Sequence, residues 1–294
     1  MNPSIVEHFR GDPSVRLLIG YGSAVIPQTG GDSDKSKLLD LMVVVDDCDG
    51  YINSLKEMRL ISPTPASFAC SVPSEVAYFP HVRIGSTPVG TKLGVVERRR
   101  FFDRLQNWNG SFYIPGRLQK PTKVLLADDS VRELFAEYQR RNLQAALASG
   151  LLLSPDLRSI TDYNLFKAIV SLSYLGDIRM GIAENPRKID NIVDRQMPLL
   201  RDMYQPFFDD VGLCATDSSR WICTKSDRDL WNMLPSPFRQ KAVQSADPQL
   251  ALISTLSNIN RRESLHQAFV GVGTAGFSNS AKYLIRKISK RIFS

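Results

Sequence analysis

A carboxylate inside an apolar strand is costly to bury, and this chain has one at residue 40. The run 38–47 reads LLDLMVVVDD. It is short, rich in Val and Leu and ends in acids, so it predicts a buried β-strand. An unpaired carboxylate there costs several kcal/mol, so Asp40 demands a buried cation or a metal ion. Upstream, 17–25 reads LLIGYGSAV, where a second apolar strand (15–20) enters a Gly22-Ser23 turn. Glycine lets backbone N–H groups approach phosphate oxygens closely, and serine adds a hydroxyl donor. A Gly-Ser turn alone is common. Beside a strand acid it suits a metal-held triphosphate.

Residues 40, 42, 44 and 46 of an extended strand share one face. Asp46 therefore lies on Asp40's side, but roughly 20 Å along the strand at its usual rise per residue. It joins Asp40 as a metal-ligand candidate if the strand bends. Otherwise Asp46-Asp47 is a solvated strand end.

Further strands are predicted at 76–85, 91–97 and 122–127, with helices at 49–60 and 98–108. After Asp128 the pattern becomes helical. Residues 129–153 set Val131, Leu134, Phe135 and Tyr138 on one face, with Ser130 and Glu133 spaced as a capping box. A second helix spans 160–177 with a glycine stop. Residues 186–208 hold helical pieces, 212–248 are mixed, and the last third is mostly helical. An α/β front half thus precedes a largely helical back half.

The chain has 294 residues, 43% hydrophobic and 23% charged, a globular composition. No stretch reaches the roughly 18 apolar residues that a spanning helix needs. Residues 1–14 resemble neither a signal peptide nor an Arg-rich presequence, so the chain is not marked for secretion. The four cysteines, Cys48, Cys70, Cys214 and Cys223, form no Cys-x-x-Cys pair, and there are only three histidines. No zinc site is expected, and the thiols read as free in a reducing compartment. The net charge is +7, and no acid follows Glu263. That balance implies an anionic partner, either phosphates or an anionic membrane surface.

A Gly-Ser turn followed by a strand acid resembles the DNA polymerase β-like nucleotidyltransferases. Their strand usually carries Asp-x-Asp or Asp-x-Glu on two magnesium ions; here the second position is Met42. Residues 106–125, QNWNGSFYIPGRLQKPTKVL, hold Arg117, Lys120 and Lys123 around a Gly and a Pro. LSYLGDIRM (172–180) puts Asp177 and Arg179 at a helix end. With GYGSAVIPQ, LLDLMVVVDD, TKLGV and the later GTAGFSNSAKYLIRK, these strings resemble the mitochondrial-type phosphatidate cytidylyltransferases, also called translocator assembly and maintenance proteins. The resemblance runs from about residue 17 into the tail.

It implies an α+β fold: a polymerase β-like nucleotidyltransferase domain with a mixed sheet over 1–127, a mostly helical winged-helix-like domain over 128–215, and a C-terminal region over 216–294. It implies Mg²⁺-dependent, in-line synthesis of CDP-diacylglycerol and pyrophosphate from CTP and phosphatidic acid, in phosphatidylglycerol and cardiolipin biosynthesis. Both substrates are anionic, so such a site mainly neutralises charge and positions its reactants. On this reading Asp40 is a metal ligand, with Asp46 as a second candidate. Gly22 and Ser23 cradle the triphosphate. Lys92, Arg117 and Lys120 contact phosphates, and Asp177 and Arg179 are candidate nucleotide contacts. Each has a plainer alternative. Lys92 could be an edge-strand lysine, Arg117 and Lys120 a solvated loop, and Asp177 with Arg179 a local ion pair.

At 100° per residue, Ala281, Leu284, Ile285, Ile288 and Ile292 share one arc of a helix over about 278–294. Lys282, Arg286, Lys287, Lys290 and Arg291 occupy the rest. Such a helix suits an anionic membrane, where each base contributes roughly 1 kcal/mol. It could instead pack on the protein body. A lipid substrate favours the membrane, with Leu284, Ile285, Arg286, Lys287, Ile288, Lys290, Arg291 and Ile292 as the contacting residues. The expected location is peripheral: the inner face of the cytoplasmic membrane in a bacterium, the matrix face of the mitochondrial inner membrane in a eukaryote. Two other functions stay open at this point. One is nucleotidyl transfer to RNA or a small soluble acceptor, although no nucleic-acid partner is expected. The other is a non-catalytic membrane-bound scaffold, which Met42 motivates.

Overall fold

The structure, a computed structural model, describes residues 3–26, 38–61, 76–82, 84, 90–182, 185–217 and 220–275. Its front half contains α1 (Pro3–Arg10), β1 (Val15–Tyr21), β2 (Leu39–Val45), α2 (Cys48–Glu57), β3 (Val76–Val82), β4 (Thr91–Glu97), α3 (Arg98–Asn107), α4 (Tyr113–Leu118) and β5 (Thr122–Ala127). The five strands form one mixed sheet in the order β3-β4-β2-β1-β5. Only β2 and β4 pair in parallel.

The alternation of β2 sorts its side chains between two cores. Leu41, Val43 and Val45 face α1 and α2, packing with Ile5, Phe9, Ile52 and Leu55. Met42 and Val44 face the opposite side, with Ile19, Phe101, Ile114 and Leu118. Met42 is fully buried there, so an acid at that position would have no solvent. β4 is an inner strand, so Lys92 is not an edge lysine.

The back half begins with α5 (Asp129–Leu152), followed by β6 (Ile160–Thr161), α6 (Asp162–Ser171), α7 (Ile178–Ile182) and α8 (Lys188–Tyr204). After two short 3₁₀ turns come β7 (Leu213–Ala215), β8 (Arg220–Cys223), α9 (Asp227–Asn232), α10 (Ser236–Val243) and α11 (Pro248–Ala275). A small antiparallel sheet runs β6-β8-β7. The cap of α5 differs from the expected one: Asp128, not Ser130, is the N-cap, and its carboxylate accepts from the Ser130 N–H. Leu134 is exposed rather than buried with Val131. The helix expected over 160–177 is shorter, because Thr161 caps its start and the chain turns after Ser171. The basic helix expected at about 278–294 lies outside the described residues. No helix among the described residues is long and apolar enough to cross a membrane.

Trp108 and Phe112 precede α5 in sequence yet pack in the helical core with Leu147, Phe166 and Phe238. A buried amide secures this crossover. Asn142 of α5 accepts from Trp108 Nε1 at 2.9 Å and from Gln119 Nε2 at 3.0 Å. Its own amide nitrogen donates to the Pro115 carbonyl at 3.3 Å. Tyr204 donates to the Gln119 carbonyl at 2.8 Å. All four bonds hold the segment 108–121 against α5 and α8. Asn142→Ala strands two buried donors and should cost about 2–4 kcal/mol, read as a lowered urea midpoint with an unchanged slope.

Candidate functional site

β1 ends in the turn that the sequence singled out. Gly22 has φ +76°, the left-handed region. A Cβ built on it would lie 2.7 Å from Asp40 Oδ2. The glycine is therefore required twice: for the backbone angle and for the carboxylate that fills its side-chain space. Antiparallel pairing sets Tyr21 opposite Asp40, which brings the acid under the turn. The N–H groups of Val25 and Ile26 close the turn by donating to the Gly22 carbonyl at 3.1 and 2.9 Å. Ser23 is exposed at its tip.

Asp40 is half-buried, and parallel pairing sets Lys92 directly opposite it. Lys92 Nζ lies 3.6 Å from Asp40 Oδ1. The strand acid is thus partnered by a lysine rather than left bare.

Asp46 does not join it. β2 runs straight against β4 in unbroken register, so Asp46 sits past the far end of the strand. There Arg16 Nε binds it at 2.6 Å and Arg98 Nε at 3.1 Å. This corrects its expected role as a second metal ligand: two arginines neutralise it at the wrong end of the strand. Glu97 is at that far end too, paired with Arg100 at 3.5 Å.

Among the described residues no group of three or more His, Cys, Asp or Glu converges. Asp40, packed under Gly22, is the carboxylate at the turn. Mg²⁺ keeps several waters and takes one or two carboxylates plus substrate phosphates. One carboxylate beside a glycine turn therefore fits a magnesium ion that arrives with a polyphosphate, and does not fit an all-protein cage.

A cavity of about 320 Å³ opens beside the turn. It brings together Gly22, Ser23, Arg117, Lys120, Asp177 and Arg179, six residues singled out from the sequence. Arg117 and Lys120 are not in a solvated loop. Arg117 belongs to α4, whose Ile114 and Leu118 are buried under the sheet. At Gly116 a Cβ would lie 2.7 Å from Ser173 Cβ, so the glycine lets α4 close on the 172–176 turn. The Arg117 guanidinium stacks 4.5 Å above the Tyr21 ring and 5.4 Å from the Tyr113 ring. The two phenols hydrogen-bond to each other at 3.0 Å. Lys123 is exposed on β5 and does not line the cavity.

Lys120 is buried and donates to the Gly116 carbonyl and, at 2.7 Å, to Ser173 Oγ. Burial, and then the charges of Arg117 and Lys188, hold its ammonium well below the ordinary lysine range. No carboxylate forms an ion pair with Arg117 or Lys120 among the described residues. An anion entering the cavity would supply the missing charge. Asp177 and Arg179 do form the local pair: Arg179 Nη2 and Nε reach the carboxylate at 2.7 and 2.9 Å. Burial works to raise the Asp177 pKa, but the Arg179 contacts together hold it below the usual carboxylate value.

Sequence reasoning missed Tyr21, Tyr113, Tyr174, Lys188 and Glu263, which share the cavity. The Lys188 ammonium lies 5.2 Å from the Tyr174 ring centroid. Glu263 comes from α11, far along the chain, and no local motif marks it. Burial pushes its carboxyl up to about 7, against the Ser111 hydroxyl, which donates to it at 2.8 Å, and the nearby Arg179.

The model of the family described as "Phosphatidate cytidylyltransferase, mitochondrial" matches residues 3–232. Relatives of that name are 28% identical in Schizosaccharomyces pombe, over 99% of this chain and 83% of the relative, and 29% in Mus musculus, over 97% and 93%. The relative from Saccharomyces cerevisiae is 30% identical over 91% of this chain and 65% of its own length. A nucleotidyltransferase-like crystal structure from Exiguobacterium sibiricum aligns over 91% of this chain and 77% of its own at 10% identity; its TM-score of 0.27 is too low to carry any argument.

The fit between Gly22 and Asp40 is testable without a ligand. Gly22→Ala should cost about 1–3 kcal/mol from the left-handed angle and the carboxylate clash. In an Asp40→Ala background the same change should cost roughly 1 kcal/mol less, because only the angle remains, and a double-mutant cycle by urea unfolding measures the difference.

Proposed function

The chain belongs to the mitochondrial-type phosphatidate cytidylyltransferase family and is a nucleotidyltransferase, and on that premise we propose how its own residues divide the work. The reaction is cytidylyl transfer from CTP to phosphatidic acid, giving CDP-diacylglycerol and pyrophosphate. The single observation that carries the residue roles is the meeting of the Gly22 turn, Asp40 and the Arg117–Lys120 cavity at one end of the sheet.

The triphosphate lies against the Gly22-Ser23 turn. Ser23 donates its hydroxyl, and Lys92 offers a cation beside Asp40. Asp40 would hold the Mg²⁺ that accompanies CTP, and that ion would supply charge neutralisation at the triphosphate. The acceptor phosphate enters the cavity and pairs with Arg117 and Lys120. Arg117 keeps its charge at any working pH, and its stacking on Tyr21 and Tyr113 fixes the direction in which it donates. Lys120 recovers its charge as the phosphate replaces lost solvation. Two anions are thereby held close in a site that cancels their repulsion, which is most of what an in-line transfer between phosphates requires. Asp177 orients Arg179 on the cavity wall.

A lipid acceptor calls for a membrane surface. We assign the basic tail at 278–294 to peripheral contact with anionic lipid. The relatives' description as mitochondrial supports a mitochondrial place in a eukaryote, where we assign the matrix face of the inner membrane; a bacterial owner would use the inner face of its cytoplasmic membrane. The concentration of bases on one amphipathic stretch favours lipid over nucleic acid.

Purified protein with CTP, Mg²⁺ and phosphatidic acid in vesicles should release pyrophosphate and form CDP-diacylglycerol. Asp40→Asn should lower kcat by roughly 10²–10³-fold, while Arg117→Ala should raise KM for phosphatidic acid more than for CTP. Full activity of Asp40→Asn would remove the metal assignment.

A further inference from the structure

Glu263 is the one cavity acid for which the roles above have no use. It is 6% exposed and faces the cavity from α11. The charged groups that face it are Arg179 from α7 and Arg117 from α4. Lys120, Lys188 and Asp177 line the other walls. Ser111 Oγ donates to Glu263 Oε1 at 2.8 Å, and the backbone N–H of Phe112 also donates to the carboxyl. Asp177 is committed to Arg179 through three contacts of 2.7–3.2 Å. Glu263 makes no such bidentate pair.

A carboxylate in a cavity built for a phosphate is a contradiction if it stays ionised, because like charges repel. A carboxyl that changes its proton resolves it. We propose that Glu263 is a catalytic residue that takes the remaining proton of the phosphomonoester acceptor as it docks between Arg117, Lys120 and Arg179. The proposal rests on the function argued above, which supplies the acceptor.

The step balances. The acceptor enters as a monoanion; its P–O–H bond breaks and an O–H bond forms on Glu263. The freed phosphate oxygen attacks the α-phosphorus of CTP. The bond from that phosphorus to the bridging oxygen breaks, and pyrophosphate leaves with the electron pair. Glu263 returns its proton to solvent after the products depart. The second ionisation of a phosphomonoester falls near pH 6, and burial raises the Glu263 carboxyl to about 7. Proton exchange between groups so matched is nearly free of cost.

The productive complex carries one proton shared between Glu263 and the acceptor. Initial rates are measured for the full chain with saturating CTP and Mg²⁺ and varied phosphatidic acid in vesicles. In the wild type, kcat/KM for phosphatidic acid should peak near pH 7 and fall roughly 100-fold by about pH 9, because Glu263 and the acceptor have then both lost the shared proton and repel each other. Glu263→Gln cannot take the proton but carries no charge, so it uses only acceptor that arrives already fully ionised; it should lose this alkaline limb and exceed the wild type at the alkaline end. A gain of that kind cannot come from misfolding, and equal CTP affinity in both proteins confirms intact structure. Ser111→Ala keeps the acid but removes a donor that favours its ionised form, so the limb should move to higher pH. A limb that survives in Glu263→Gln belongs to Lys120 and overturns the proposal, as does a limb that Ser111→Ala leaves in place. Absence of transfer by the wild type at every pH would instead overturn the function itself, and is seen without any variant.

Discussion

The side-chain amide of Asn142 fastens the segment that carries two cations of the cavity, half-buried Arg117 and buried Lys120, to the core of the helical half. Its oxygen accepts from Trp108 and Gln119, and its nitrogen reaches the Pro115 carbonyl. Arg117 and Lys120 lie on that same short stretch, one on each side of Gln119. Buried cations are expensive unless their surroundings are fixed. Here the backbone beneath them is fixed by hydrogen bonds that no solvent competes for. Trp108 adds edge-on contacts with Phe112 and Phe238, at centroid distances of 5.1 and 5.6 Å. Apolar packing thus anchors one end of the segment, and the amide holds its middle.

The two acids of the LLDLMVVVDD run show how position along one strand divides labour. Asp40 lies under a glycine turn with one lysine opposite it, half-open to the cavity end of the sheet. Asp46 lies at the closed end, where Arg16 of β1 and Arg98 of α3 fasten strand, neighbour and helix together. Both lie on the face that Met42 and Val44 bury between them, and about 20 Å of strand separates a site-facing acid from a structural one.

Much of this was legible from the sequence because strands and turns are local. The Val- and Leu-rich runs at 15–20, 38–45 and 91–97 announced the sheet, and Gly22 with Asp40 announced the turn and its acid. α4 was not legible. A six-residue helix containing Pro115 and Gly116 has poor propensity, and it forms because Ile114 and Leu118 bury under the sheet while Gly116 meets Ser173. The cap of α5 was misread because Asp128 and Ser130 are both good caps, and backbone geometry decides between them. Glu263 and Lys188 were invisible for a different reason. Nothing in their neighbourhoods marks them, and only the fold of α8 and α11 onto the front half gives them a cavity to face.

Ser111 and Glu263 meet across 152 residues of chain, so the cavity is completed late in synthesis. On the ribosome the glycine turn, the strand acid and the Arg117 helix emerge early. The wall that completes the pocket arrives only when the 28-residue α11, about 42 Å of helix, has left the exit tunnel and docked. Until then the cationic groove lies open on one side and can neither exclude water nor hold two anions in line. Competence therefore comes late: an unfinished chain has most of the site's charges and lacks the wall that Asn260, Glu263 and Ser264 supply.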